Sequence, residues 1–147
     1  MKAIDQVTVI FSSRSANEGF ARACAACFAA QLDPTLDEVA DIKTAVSEAV
    51  TNAIVHAYPD CLGKIVLRLR LFEGGELEIQ VRDAGVGIPD VEQARTPLYT
   101  TGGEERSGMG FTIMESFMDG LKVRSQPDKG TTVTMRKRLA CRAGAPA

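Results

Sequence analysis

The chain has 147 residues, 45% of them hydrophobic and 24% charged, with a formal net charge of −2. A chain of this size can bury roughly 70% of the surface it exposes when unfolded, enough for one soluble domain. The acidic balance gives no electrostatic reason to bind nucleic acid or an anionic membrane, and no apolar run reaches the length of a membrane span. Residues 1–5 lack the basic and apolar regions of a signal peptide, so a cytoplasmic location is expected.

Val7 to Phe11 is a short β-rich run. Ser12, Ser13, Ser15 and Asn17 offer caps for a first helix over about 17–31, which Asp33-Pro34 ends. Phe20, Cys24, Cys27 and Phe28 follow the i, i+4, i+7, i+8 stripe of a core-facing helix surface. Cys24 and Cys27 therefore read as small buried hydrophobes rather than a redox or metal half-site, since no second pair or histidine cluster completes a zinc set. A second helix is expected over 36–57, with Val39, Ile42, Val46, Ala49, Val50 and Ala53 as its apolar stripe and Tyr58-Pro59-Asp60 as its end. Glu48 and Asn52 fall off that stripe, so packing does not explain them.

Residues 64–72 set Ile65, Leu67, Leu69 and Leu71 against Val66, Arg68, Arg70 and Phe72, a half-buried strand. Gly74-Gly75 makes a hairpin turn to a second alternating strand over 77–82. Residues 89–108 carry Pro, Gly, Thr and opposite charges with little periodicity, a loop of the length used for lids. A short helix over 110–118 has Phe111, Met114, Phe117 and Met118 apolar. Strands over 121–126 and 131–139 are joined by Pro127-Asp-Lys-Gly130, and residues 141–147 read as a disordered tail. This order predicts an α+β class, with one domain over 1–140. Its architecture is a two-layer α/β sandwich in which helices cover one face of a mostly antiparallel sheet.

Glu48-Ala-Val-Thr-Asn52 places a carboxylate and an amide four residues apart, about 40° apart around a helix axis, so both reach one small target. Asn52 offers a carbonyl oxygen to Mg²⁺, which keeps most of its waters, and Glu48 is a candidate general base toward an attacking hydroxyl. A solvated polar face is the competing explanation, and alone it would win. Asp83 closes a strand and can accept a hydrogen bond from an exocyclic amine such as that of adenine, while Gly85 and Gly87 let backbone approach a flat ring. A plain turn capped by an aspartate competes with that. Gly108-Met109-Gly110 opens a helix after a loop and can cradle phosphate; a hinge is the alternative. Thr131 and Thr132 could back up Asp83. Arg106 could neutralise charge on a transferred phosphoryl group, or simply pair with Glu104 or Glu105. His56, the one histidine, reads as a cap or packing residue rather than a phosphoacceptor.

Taken jointly, these motifs resemble the GHKL superfamily of ATP-binding domains. Glu48-x-x-x-Asn52 looks like the N-box, Asp83-x-Gly85-x-Gly87 the first glycine box, Gly108-Met109-Gly110 the second, and Gly130-Thr131 the last. Residues 47–56, 106–115 and 129–132 are more closely similar to the anti-sigma F factor family of spore-forming bacteria. The resemblance implies a Bergerat-type fold with an ATP lid, binding ATP or ADP with Mg²⁺. It implies a dimer that holds sporulation sigma factor F inactive and phosphorylates a serine of an anti-anti-sigma factor. By position it implies Glu48 as base, Asn52 as Mg²⁺ ligand, Asp83 as adenine anchor and Arg106 as γ-phosphate contact. Gly85, Gly87, Gly108, Met109, Gly110, Thr131 and Thr132 then surround the nucleotide. Residues 101–105 carry no lysine, a departure that removes a lysine contact to phosphate from that segment. The alternatives are an ATPase or nucleotide-gated module in which Glu48 activates water, a detached histidine-kinase catalytic domain, and a non-catalytic ATP-holding binder. Glu18, Arg22, Glu104 and Glu105 are candidate partner contacts, and an edge strand is a candidate dimer interface.

Overall fold

The computed structural model of the chain describes residues 2–88, 90–95 and 110–140. Five strands pair antiparallel throughout: β1 (Ala3–Ser12), β2 (Lys64–Phe72), β3 (Glu76–Asp83), β4 (Gly120–Gln126) and β5 (Gly130–Arg138). Their order across the sheet is β1-β2-β3-β5-β4. The described helices are α1 (Asn17–Ala29), α2 (Leu36–Asn52), the single-turn α3 (Val91–Ala94) and α4 (Gly110–Phe117).

Alternation places the two layers. On β2, Ile65, Leu67, Leu69 and Leu71 are buried, and on β3 so are Leu77, Ile79 and Val81. They pack beneath Ile42, Val46 and Val50 of α2, Phe28 of α1 and Met114 of α4 in one core. Each fully buried side chain of this size contributes about 2 kcal/mol of transfer free energy. The result is the expected two-layer α+β sandwich. Gly74 and Gly75 both take positive φ (84° and 83°) within the three-residue connection, 73–75, between Phe72 and its cross-strand partner Glu76.

Three local features differ from expectation. First, α1 buries Ala21, Ala25, Phe28 and Ala29, while Phe20 is 54% exposed, Cys27 is exposed and Cys24 is half-buried. Both sets of four satisfy the same i, i+4, i+7, i+8 spacing, and the alanine set wins because small side chains let α1 lie close on α2. Second, α1 starts after Ala16 without a side-chain cap, whereas α2 starts on a capping box. There Thr35 Oγ1 accepts from Glu38 N at 3.0 Å, and Glu38 Oε1 accepts from Thr35 N at 2.8 Å. Third, the long second helix ends at Asn52 and widens into a π-helical turn over Ala53–Ala57. Such single wide turns often mark functional sites.

Candidate functional site

Glu48 and Asn52 stand half-buried one turn apart near the C-terminal end of α2. The start of α4 lies directly against them. A Cβ added to Gly110 would sit 3.0 Å from Asn52 Nδ2 and 3.3 Å from both Asn52 Oδ1 and Glu48 Oε2. A residue without a side chain is what lets the positive end of α4 approach a carboxylate and an amide oxygen. Hard oxygen donors beside free helix N–H groups suit a hard cation together with phosphate.

Asp83, the last residue of β3, is 9% exposed. Burial pushes its carboxyl above the ordinary aspartate range, while backbone N–H groups of Gly85 and Thr131 pull it back down. The Gly85 N–H donates to Oδ1 at 3.0 Å. The glycines around it serve the fold as well as any ligand. A Cβ on Gly85 would overlap the Ala57 carbonyl oxygen, one on Gly87 (φ +79°) the Gln126 carbonyl, and one on Gly130 (φ +99°) the Asp83 carbonyl. Their close approaches are therefore to protein backbone. Val86 N donates to Ala57 O at 2.9 Å, and Asp128 N to Val86 O at 2.7 Å, so this loop stitches the π turn to the β4–β5 turn.

Thr131 lies opposite Asp83 in the β3–β5 register and supports it through its backbone N–H. Its hydroxyl is 2.8 Å from Ser125 Oγ instead. Thr132 pairs with Arg82 and Arg124, which puts it on the other face of the sheet, away from Asp83. His56 sits half-buried within the π turn. Arg106, Gly108 and Met109 lie outside the described residues, as do lid residues 89 and 96–109.

Two supporting residues escaped the sequence reading. Tyr58 Oη accepts from Ala84 N at 2.8 Å and donates to Lys64 O at 2.7 Å, clamping the start of the Asp83 loop. Ser125 Oγ accepts from Ile88 N at 2.7 Å at the loop's far end. No spacing announces either one, because each acts through backbone that is remote in sequence. Beside Glu48, a cleft of about 500 Å³ opens between α1 and α2, lined by Arg22, Ala40, Lys43, Thr44, Ser47 and Glu48. Glu18 joins its rim, hydrogen-bonded to Ser47 and 3.5 Å from Arg22. Among the described residues no three of His, Cys, Asp and Glu cluster to hold a metal, and no helix is long and apolar enough to cross a membrane.

An α/β sandwich with Glu48 and Asn52 set against the start of α4 fits one class, the histidine kinase-like ATPase domain. A family model of that description matches residues 11–137. The anti-sigma F factors of Geobacillus kaustophilus and Pasteuria penetrans are 59% and 58% identical to this chain over 131 residues. Those alignments cover 88% of this chain and 90% and 87% of the relatives. The chain belongs to the anti-sigma F factor family of the GHKL superfamily. Among solved structures, the RsbU and RsbW domains of a Mycobacterium tuberculosis protein share its fold, with a TM-score of 0.68 at 21% identity over 97% of this chain and 33% of that one. The blue-light activated histidine kinase of Erythrobacter litoralis EL346 gives 0.58 at 26% identity, over 73% of this chain and 32% of its own.

Proposed function

We propose that this anti-sigma factor is also an MgATP-dependent serine kinase, which binds sporulation sigma factor F and phosphorylates a serine of an anti-anti-sigma factor. The observation that carries the reading is the meeting of Glu48 Oε2 and the Asn52 amide at Gly110. Asn52 Oδ1 would hold Mg²⁺, and the N-terminal N–H groups of α4 would receive phosphate oxygens. When bound, the ion offsets charge on the phosphates. Asp83 would anchor the adenine amine, with Gly85, Gly87 and Thr131 shaping that end. By the family resemblance, Arg106 would contact the γ-phosphate, and Gly108 and Met109 would complete the phosphate cradle with Gly110. Glu48 takes the proton from the attacking serine hydroxyl, and the cleft between α1 and α2 gives a serine-bearing segment room to reach it. The shared name of the relatives supports the sigma-factor partner.

The test incubates the purified protein and its Glu48→Gln variant with MgATP, sigma factor F and the anti-anti-sigma factor. The native protein should place phosphate on a partner serine. The variant should do so about 10²–10⁴-fold more slowly while still binding ATP and sigma factor. Steady ATP hydrolysis with no phosphoserine would replace the kinase with a GHKL ATPase in which Glu48 activates water.

A further inference from the structure

The face of the sheet turned away from the helices carries charge that the nucleotide site does not use. Alternation places Arg68, Arg70, Arg82, Lys122, Arg124 and Arg136 on it. The register stacks them in three adjacent rows: Arg82–Thr132–Arg124, Arg68–Gln80–Thr134–Lys122, and Arg70–Glu78–Arg136. With strands about 4.8 Å apart and rows about 7 Å apart, the cations share a patch about 14 Å on a side. Neighbouring rows lie within the Debye length of about 8 Å at physiological salt, so cations in adjacent rows repel one another in the free protein.

The patch is also built to hold its guanidinium groups still. Glu78, the one carboxylate in these rows, is 2% exposed beneath three arginines. It accepts from Arg70 Nε at 2.8 Å and Arg136 Nη2 at 2.7 Å, with Arg68 Nη2 at 3.5 Å. The Arg70 and Arg136 guanidinium groups also lie 5.2 Å and 5.6 Å from the ring centre of Phe72, which is itself 2% exposed. Arg136 reaches Glu76 in the next row at 3.2 Å, while Arg82, Lys122 and Arg124 make no ion pair with any described residue. One buried carboxylate thus orients three guanidinium groups without neutralising them.

We propose that this face docks an acidic segment of a protein partner. Fixed guanidinium forks match carboxylates two hydrogen bonds at a time and lose little freedom on binding. Single-stranded nucleic acid would want exposed aromatic rings to stack on, and the one ring among the described residues of this face, Phe72, lies covered by guanidinium groups. The chain holds 17 Lys and Arg against 19 Asp and Glu, so setting this patch aside leaves eleven cations facing eighteen carboxylates. A duplex or a bilayer, broader than the patch, would lie against a molecule whose remaining charge is net acidic; a short acidic segment fits within the patch.

The experiment measures binding of a fluorescein-labelled acidic octapeptide of alternating Glu and Asp by anisotropy, at low and at physiological salt. Its parallel arms use a single-stranded oligonucleotide, a short duplex and phosphatidylserine vesicles. The face variant is Arg82→Glu with Arg124→Glu, which leaves the Glu78 cluster intact. Arg82→Gln with Arg124→Gln is a milder version if the first folds poorly. Arg14→Glu with Lys43→Glu, both exposed, the first ahead of α1 and the second on α2 in the helix layer, matches the charge change. Peptide affinity should fall about tenfold in the face variants and stay within about twofold in the control, with ATP binding unchanged in all. Equal affinity in native and face variants, or an equal loss in the control, would overturn the proposal. So would tighter binding of an oligonucleotide, a duplex or vesicles that is lost in the same face variants.

Discussion

Gly85 and Gly110 both stand in motif runs, but the structure requires them for different reasons. At Gly85 a methyl group would overlap the Ala57 carbonyl, which already accepts from Val86 N. At Gly110 it would instead press on two side chains, Asn52 and Glu48. Gly85→Ala should therefore destabilise the free protein by about 1–3 kcal/mol, a loss of several degrees in melting temperature. Gly110→Ala gains up to about 1 kcal/mol of helix propensity, so its melting temperature should hold. Its ATP affinity should drop about tenfold, as calorimetry would read, because the Asn52 amide must swing aside. Native affinity in Gly110→Ala would mean that this close approach does not matter to the ligand.

The carboxyl of Asp83 gives a prediction of opposite sign to that of Glu38. Burial raises the Asp83 carboxyl above 3.8 despite its two N–H partners, so the folded chain holds the proton longer than the unfolded chain does. Its contribution to stability is complete below about pH 3.8 and is lost as the pH rises through the folded value. For Glu38, burial also pushes upward, but the N–H groups of Thr35 and Ala140, the Thr35 hydroxyl and the charge of Lys137 draw it below 4.5. Its contribution is complete above that value and is lost as the pH falls. Asp83→Asn should thus raise the melting temperature of the nucleotide-free protein more near pH 7 than near pH 4. Melting curves of variant and native protein at the two pH values would show it, and a difference that ignores pH would refute it.

At the scale of elements, legibility depended on whether a local pattern had one solution or two. Strands β2 and β3 were plain because alternation runs unbroken from Ile65 to Leu71 and from Leu77 to Val81. The phase of α1 was not, since residues 20, 24, 27 and 28 fit the helical stripe as well as 21, 25, 28 and 29 do. The π turn was hidden because Ala53-Ile-Val-His-Ala57 reads as ordinary helix. Glu48 and Asn52 were visible as polar residues off an apolar stripe, and Asp83 as a carboxylate before alternate glycines. Which threonine faces Asp83 was decided by cross-strand register, and Tyr58 and Ser125 act through backbone far away in sequence.

The same scale bears on self-association. Strand β1 is a ten-residue edge with Ile4, Val7 and Ile10 between 40% and 59% exposed, whereas the opposite edge, β4, carries Lys122 and Arg124. Long apolar edges invite pairing and charged ones resist it, so the dimer that the family resemblance implies should join through β1. Val7→Lys with Ile10→Lys should sediment as a monomer with native far-ultraviolet circular dichroism; a persistent dimer would place the interface elsewhere.

For the whole molecule, the site is a junction between layers. Glu48 and Asn52 come from α2, Gly110 from α4, Asp83 from β3 and Thr131 from β5, so a nucleotide touching them all binds only the assembled sandwich. Ligand at a hundred times its dissociation constant then stabilises the fold by about 2.7 kcal/mol. For a chain of this length that amounts to about 5–11 °C in melting temperature. The shift should divide by element. Chelating Mg²⁺ should remove the part that acts through phosphate and leave the part that acts through adenine. Asn52→Ala should show the smaller shift whether or not Mg²⁺ is present, because its oxygen no longer couples the ion to α2. Glu48→Gln should keep the full Mg²⁺-dependent shift, since a proton acceptor for the hydroxyl is not needed to hold the nucleotide. An Asn52→Ala protein whose shift still depends on Mg²⁺ as the native one does would move the metal site off α2, and with it the pairing of ion and base on one helical turn.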